Sequence, residues 1–99
     1  MNVYTGQYEL TLTQIVPSDV ETTPLTVELL EECVTSAKHL RCSPIVRDVV
    51  AMAENTLAAL KAGTAFNDLD VAVQFNARTL RAIMRRHARE MTSLVAESK

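Results

Sequence analysis

The chain has 99 residues, of which 47% are hydrophobic and 22% charged, a balance typical of a single globular domain with a small core. Two glycines and three prolines are too few for a low-complexity chain, and no stretch reaches the roughly 20 apolar residues that span a bilayer. The first residues, Met1–Tyr4, lack the basic and apolar run of an export signal. We therefore expect a cytoplasmic protein.

The formal net charge of −2 hides an uneven distribution of charge along the chain. Residues 1–70 hold ten acidic and four basic side chains, whereas residues 71–99 hold six basic and two acidic ones. The sequence therefore predicts a basic C-terminal element on an acidic body.

The two cysteines are too few for a disulfide framework, and in a reducing compartment they are expected to be thiols. Cys33, His39 and Cys42 have a spacing that matches no common zinc site and lack a fourth ligand. We expect no metal and no cofactor.

The N-terminal part predicts a β-strand over about residues 7–16. Tyr8, Leu10 and Leu12 alternate with polar residues, and Pro17 ends the run. A strand cannot satisfy its own backbone groups, so a partner strand must exist.

Two helices follow, and together they predict a helical hairpin. Thr22-Thr23-Pro24 provides a capping hydroxyl and a proline at the first helical position, which predicts a helix over about 24–40. Ser43-Pro44 repeats this signal and Gly63 suits the residue after a helix end, which predicts a second helix over about 44–62.

A long third helix is predicted over about 67–97, with Asn67 as its N-cap. Its apolar stripe, with steps of three and four residues, is a heptad seam. An alternative remains, because residues 70–75 also alternate like a strand, and Asn76 could then cap a shorter helix. The fold class is therefore α+β and mostly α-helical, with an N-terminal strand, a helical hairpin and a long amphipathic C-terminal helix.

Five arginines lie within an arc of about 140° on the third helix, opposite its seam: Arg78, Arg81, Arg85, Arg86 and Arg89. Such a row could contact nucleic-acid phosphates, form an ordinary solvated face, or face an acidic protein surface. The same helical projection places Val71 and Phe75 on the arginine side, so both are candidates for partner binding.

Residues 71–87 resemble the second half of an AraC-type helix-turn-helix. The similarity lies in Phe75-Asn76, in Arg78-Thr79-Leu80 and in Arg85-Arg86-His87. No glycine precedes Phe75, and the spacing from Ala72 to Phe75 is shorter than the turn requires. The resemblance carries no function over to this chain.

His87 lies in the seam rather than in a polar cluster, and no nucleophile or orienting carboxylate is placed near it by the sequence. Polar residues at seam positions commonly set register and oligomer state. A dimer seam is therefore predicted, formed by Leu80, Met84, His87, Met91 and Leu94.

No glycine-rich phosphate loop, paired-carboxylate motif or nucleophile elbow occurs in the sequence. We therefore expect that the chain is not an enzyme but a small regulatory binding protein, such as an adaptor, inhibitor or accessory factor. It is expected to dock as a homodimer on another macromolecule. The expected partner is another protein, and no membrane is involved. The alternative is a nucleic-acid-binding regulator that uses the arginine face.

Overall fold

A computed structural model of the chain describes residues 9–11, 20 and 25–97, although the side chains of Glu9 and of residues 93–97 are not described. The elements, in chain order, are strand β1 (Glu9–Leu10), helix α1 (Val27–Lys38), strand β2 (Arg41–Cys42), helix α2 (Pro44–Lys61) and helix α3 (Val71–Glu97). A short 3-10 turn, Phe66–Asp68, connects α2 to α3. The described part of the protein is therefore mostly helical, as the sequence predicts.

Helix α1 begins at Val27, three residues after the predicted start. Its N-cap is Thr26, whose hydroxyl accepts a hydrogen bond from the backbone N–H of Leu29 over 3.1 Å. Leu25 and Leu30 flank this cap at the positions of a hydrophobic staple, and both are buried. The helix therefore starts after Thr26, because a cap at this residue lets Leu25 be buried in the core.

Helix α2 begins where the sequence predicts. The Ser43 hydroxyl accepts from the N–H of Val46 over 3.3 Å, and Pro44 occupies the first helical position. The helix ends at Lys61, and Gly63 follows with a φ of +107°, a conformation that glycine adopts without a Cβ clash.

The predicted start of α3 at Asn67 is wrong by four residues. Phe66 is buried, and Leu69 packs against the core. The backbone of Leu69 is extended, which interrupts any helix that starts at Asn67. The helix can begin only after this break, at Val71. The Gln74 side chain donates to the carbonyl of Leu69 over 2.8 Å and so binds a backbone group just ahead of the helix.

From Val71 the helix is continuous to Glu97, so the alternative strand over residues 70–75 is wrong. A helix-turn-helix turn is likewise absent from residues 71–87, because all of them are helical.

The partner of the N-terminal strand lies between α1 and α2. β1 pairs in parallel with β2, Glu9 opposite Arg41 and Leu10 opposite Cys42, and the N–H of Ser43 donates to the carbonyl of Leu10 over 3.0 Å. The rest of the predicted strand, residues 7–8 and 12–16, lies outside the described residues. Residues 41–42, predicted as part of a connecting loop, are thus a short strand.

One apolar core joins the helices. Its central side chains are fully buried: Leu10, Leu30, Val46 and Leu80. Two ion pairs show that α1 and α2 are antiparallel. Lys38, at the end of α1, pairs with Glu54 over 3.1 Å, and Lys61, at the end of α2, pairs with Glu31 over 2.6 Å. Among the described helices, none combines the length and the apolar character of a bilayer-spanning segment.

Candidate protein-binding surface

A polar bond joins α3 to α2 in addition to the apolar core that the two helices share. The Asn76 amide donates to the backbone carbonyl of Val49 over 3.0 Å. Two buried threonines, Thr56 on α2 and Thr79 on α3, each donate to a carbonyl of their own helix, those of Met52 and Phe75. The Asn76 bond joins the two helices, whereas the threonine bonds satisfy a buried hydroxyl within each helix.

Large apolar side chains on α2 and α3 are exposed beside this contact. We call them the apolar patch: Ile45 (59% exposed), Met52 (44%), Val71 (81%) and Phe75 (58%). Ile45 and Met52 lie one turn before and one turn after Val49 on α2, and Phe75 directly precedes Asn76 on α3, so these three residues flank the two ends of the Asn76–Val49 bond.

The structure separates the five predicted arginines by their surroundings. The Arg78 guanidinium lies 5.2 Å from the ring centre of Phe66, in a cation–π contact. Arg86 pairs with Glu90 over 2.9 Å. Arg81 and Arg85 line a groove between α1 and α3, and Arg89 is exposed outside that groove. The row seen in sequence is thus spread over several environments.

The predicted dimer seam is likewise divided. Leu80 is fully buried in the core of the chain itself, so it is not available at an interface, because the core of α1, α2 and α3 uses the same stripe. Met84, His87 and Met91 are half-buried, and the side chain of Leu94 lies outside the described residues.

The groove between α1 and α3 has a volume of about 630 Å³. Its apolar lining is provided by Leu29 and Cys33 from α1, by Leu40 just after the end of α1, and by Met84 and Ala88 from α3. Its polar lining consists of Glu32, Ser36, His39, Arg81, Arg85 and His87.

Two groups of the groove have shifted pKa values. Burial lowers the pKa of His87, because desolvation disfavours the imidazolium, and nearby Glu90 acts in the opposite direction. Burial also raises the pKa of the Cys33 thiol; Glu32 adds to this rise and Arg81 opposes it. The thiol of Cys33 is therefore held in its neutral form, which is unfavourable for a nucleophile or a metal ligand.

Within the described residues, no group of three or more His, Cys, Asp and Glu side chains could hold a metal ion. Cys33 is buried, His39 is exposed, and the Cys42 sulfur donates to the carbonyl of Ala37 over 3.5 Å.

Sequence reasoning identified Val71 and Phe75 but missed Ile45 and Met52. A helical projection of α2 places these two at the edge of the apolar stripe, on the side of Val49. Only the position of α3 decides whether that edge is covered.

No protein-family model, curated protein sequence or solved structure matches this chain.

Proposed function

We propose that this protein is a small non-enzymatic binding factor, acting in a cytoplasm, that docks on another protein through the apolar patch. The observation that carries the proposal is the exposure of Ile45, Met52, Val71 and Phe75 around one fixed helix contact. Scattered apolar side chains are normal on a surface, but grouped ones mark interaction sites.

The chemistry of the patch favours a protein partner. An aromatic ring, a methionine and two branched aliphatic side chains can fill an apolar pocket, and aromatic residues and methionine are enriched at protein interfaces. Their positions are held by rigid helices and by the Asn76–Val49 bond, so docking requires little ordering of this surface.

Affinity isolation of the full chain from its source cells tests the proposal. Phe75→Ser and Val71→Ser should each reduce recovery of the partner, the first by a factor of about 30 if Phe75 is an interface hot spot. Ala51→Ser is the matched control, because Ala51 is exposed on α2 outside the patch. Circular dichroism confirms that all three variants fold. Equal recovery of every protein by Phe75→Ser and Ala51→Ser would refute the proposal.

Nucleic-acid binding by the arginines of α3 is the second candidate. Arg85 and Arg89 are exposed at positions four residues apart, which suits phosphate contacts. The engagement of Arg78 with Phe66 and of Arg86 with Glu90, together with the ten acidic side chains in residues 1–70, weighs against a polyanionic ligand.

Homodimerisation is a further part of the proposal. With Leu80 in the core and Met84 and His87 in the groove, we propose that the contact lies at the outer end of the seam, around Met91.

A further inference from the structure

We propose that the groove between α1 and α3 binds an amphipathic carboxylate, a ligand with an alkyl chain and an anionic head group. This site is separate from the apolar patch, since none of the patch residues lines the groove. The two sites can therefore be tested independently.

The size of the groove selects the class of ligand. Small-molecule sites typically have volumes of about 300–1,000 Å³ and a mostly apolar lining with a few polar groups. The groove, at about 630 Å³, falls in this range. Its apolar lining includes Leu29, Leu40 and Met84, and the thioether of Met84 can adapt to a flexible chain.

The charge of the groove selects the head group. Arg81 and Arg85 lie one helical turn apart on α3, so their guanidinium groups can approach the same anion. Each guanidinium has five N–H donors, so an arginine already in contact with a neighbouring group can still bind a carboxylate. Glu32 is the acidic residue among the groove residues, and it disfavours a second negative charge on the ligand.

Isothermal titration calorimetry of the full chain with laurate, below its micelle concentration, tests the site. Laurate should bind, whereas dodecanol and dodecyltrimethylammonium, which carry the same chain without the anion, should bind at least about tenfold more weakly. Arg85→Gln and Arg81→Gln should each weaken laurate binding about tenfold. Arg89→Gln is the matched control, because Arg89 is exposed on the same helix outside the groove.

Nuclear magnetic resonance of the methionine methyl groups locates the ligand in the wild-type chain. Met84 lines the groove and Met52 does not, so bound laurate should shift the methyl signal of Met84 and leave that of Met52 unchanged.

Three outcomes would overturn the proposal. In the first, laurate fails to bind. In the second, laurate binds but Phe75→Ser weakens its binding, and the methyl signal of Met52 shifts while that of Met84 does not, which assigns the ligand to the apolar patch. In the third outcome, the wild-type chain is a dimer and Arg85→Gln dissociates it, which means that a second copy of the chain occupies the groove.

Discussion

The side-chain amide of Asn76 donates a hydrogen bond to the backbone carbonyl of Val49 over 3.0 Å and thereby joins α3 to α2. In the sequence, Asn76 lies within the apolar stripe of α3, where a polar side chain needs a partner when it is half-buried. The carbonyl of Val49 supplies that partner.

Replacing Asn76 should therefore weaken the fold by a moderate amount. Asn76→Ala removes one net hydrogen bond but leaves the Val49 carbonyl its bond within α2, so we expect a loss of about 1 kcal/mol in the free energy of unfolding. Urea denaturation measures it. Asn55→Ala, at an exposed position of α2, should change the same free energy by less than about 0.5 kcal/mol. Equal effects of the two substitutions would show that the bond to Val49 contributes nothing.

The two observed N-caps provide a second prediction. Ser43→Ala and Thr26→Ala should each lower the free energy of unfolding by about 1 kcal/mol, because each leaves an N–H of the first helical turn without its acceptor. Thr35→Ala is the control, since Thr35 is exposed within α1 and alanine is the better helix former there. Thermal or urea unfolding should show no loss in this control.

These caps also show what local sequence can and cannot predict. Ser43-Pro44 has no competitor nearby, so the start of α2 follows from two adjacent residues. Thr22, Thr23 and Thr26 all offer a hydroxyl, and burial of Leu25, a tertiary effect, selects Thr26. The break ahead of α3 has the same origin, because burying Phe66 and packing Leu69 on the core outweighs the favourable cap at Asn67.

The candidate surface was predictable only where it depends on a single helix. The exposure of Val71 and Phe75 follows from their position on the helical projection of α3 alone. The exposed state of Ile45 and Met52, and the division of the arginines between Phe66, Glu90 and the groove, depend on how helices pack together. The pairing of β1 with Arg41–Cys42 leaves no periodic signal, since two residues are too few for one.

His87 should make the stability of the fold depend on pH. Burial lowers its pKa in the folded state, so as pH falls through the unfolded value near 6.5 the unfolded state takes up the proton first. Stability should therefore be full above that value and decline on the acid side, with Glu90 reducing the size of the effect.

Urea midpoints at pH 7.5 and 5.5 measure this dependence. In His87→Gln the difference between the two midpoints should shrink relative to the wild type. In His39→Gln it should remain, because His39 is exposed. A wild-type difference that survives unchanged in His87→Gln would assign the pH dependence to other groups.

We expect the chain to form a dimer through the outer end of the seam, around Met91. Sedimentation equilibrium at micromolar concentration should give a dimer, and Met91→Lys should shift it towards the 10.9 kDa monomer by placing a charge in the contact. Thr92→Lys, at the exposed neighbouring position, should leave the dimer intact. A wild-type monomer at 100 µM would contradict dimerisation.

The last prediction separates protein docking from nucleic-acid binding, since phosphate contacts depend on salt and on each arginine in turn. If the protein docks on another protein, its affinity for random duplex DNA at physiological salt should be weaker than about 1 µM, the upper end of non-specific binding. Arg85→Ala and Arg89→Ala should then leave partner recovery closer to the wild type than Phe75→Ser does. Filter binding at several salt concentrations provides the measurement. Binding to random duplex tighter than about 1 µM, with a salt slope that falls by about one in each arginine variant, would instead assign the exposed arginines of α3 to nucleic acid.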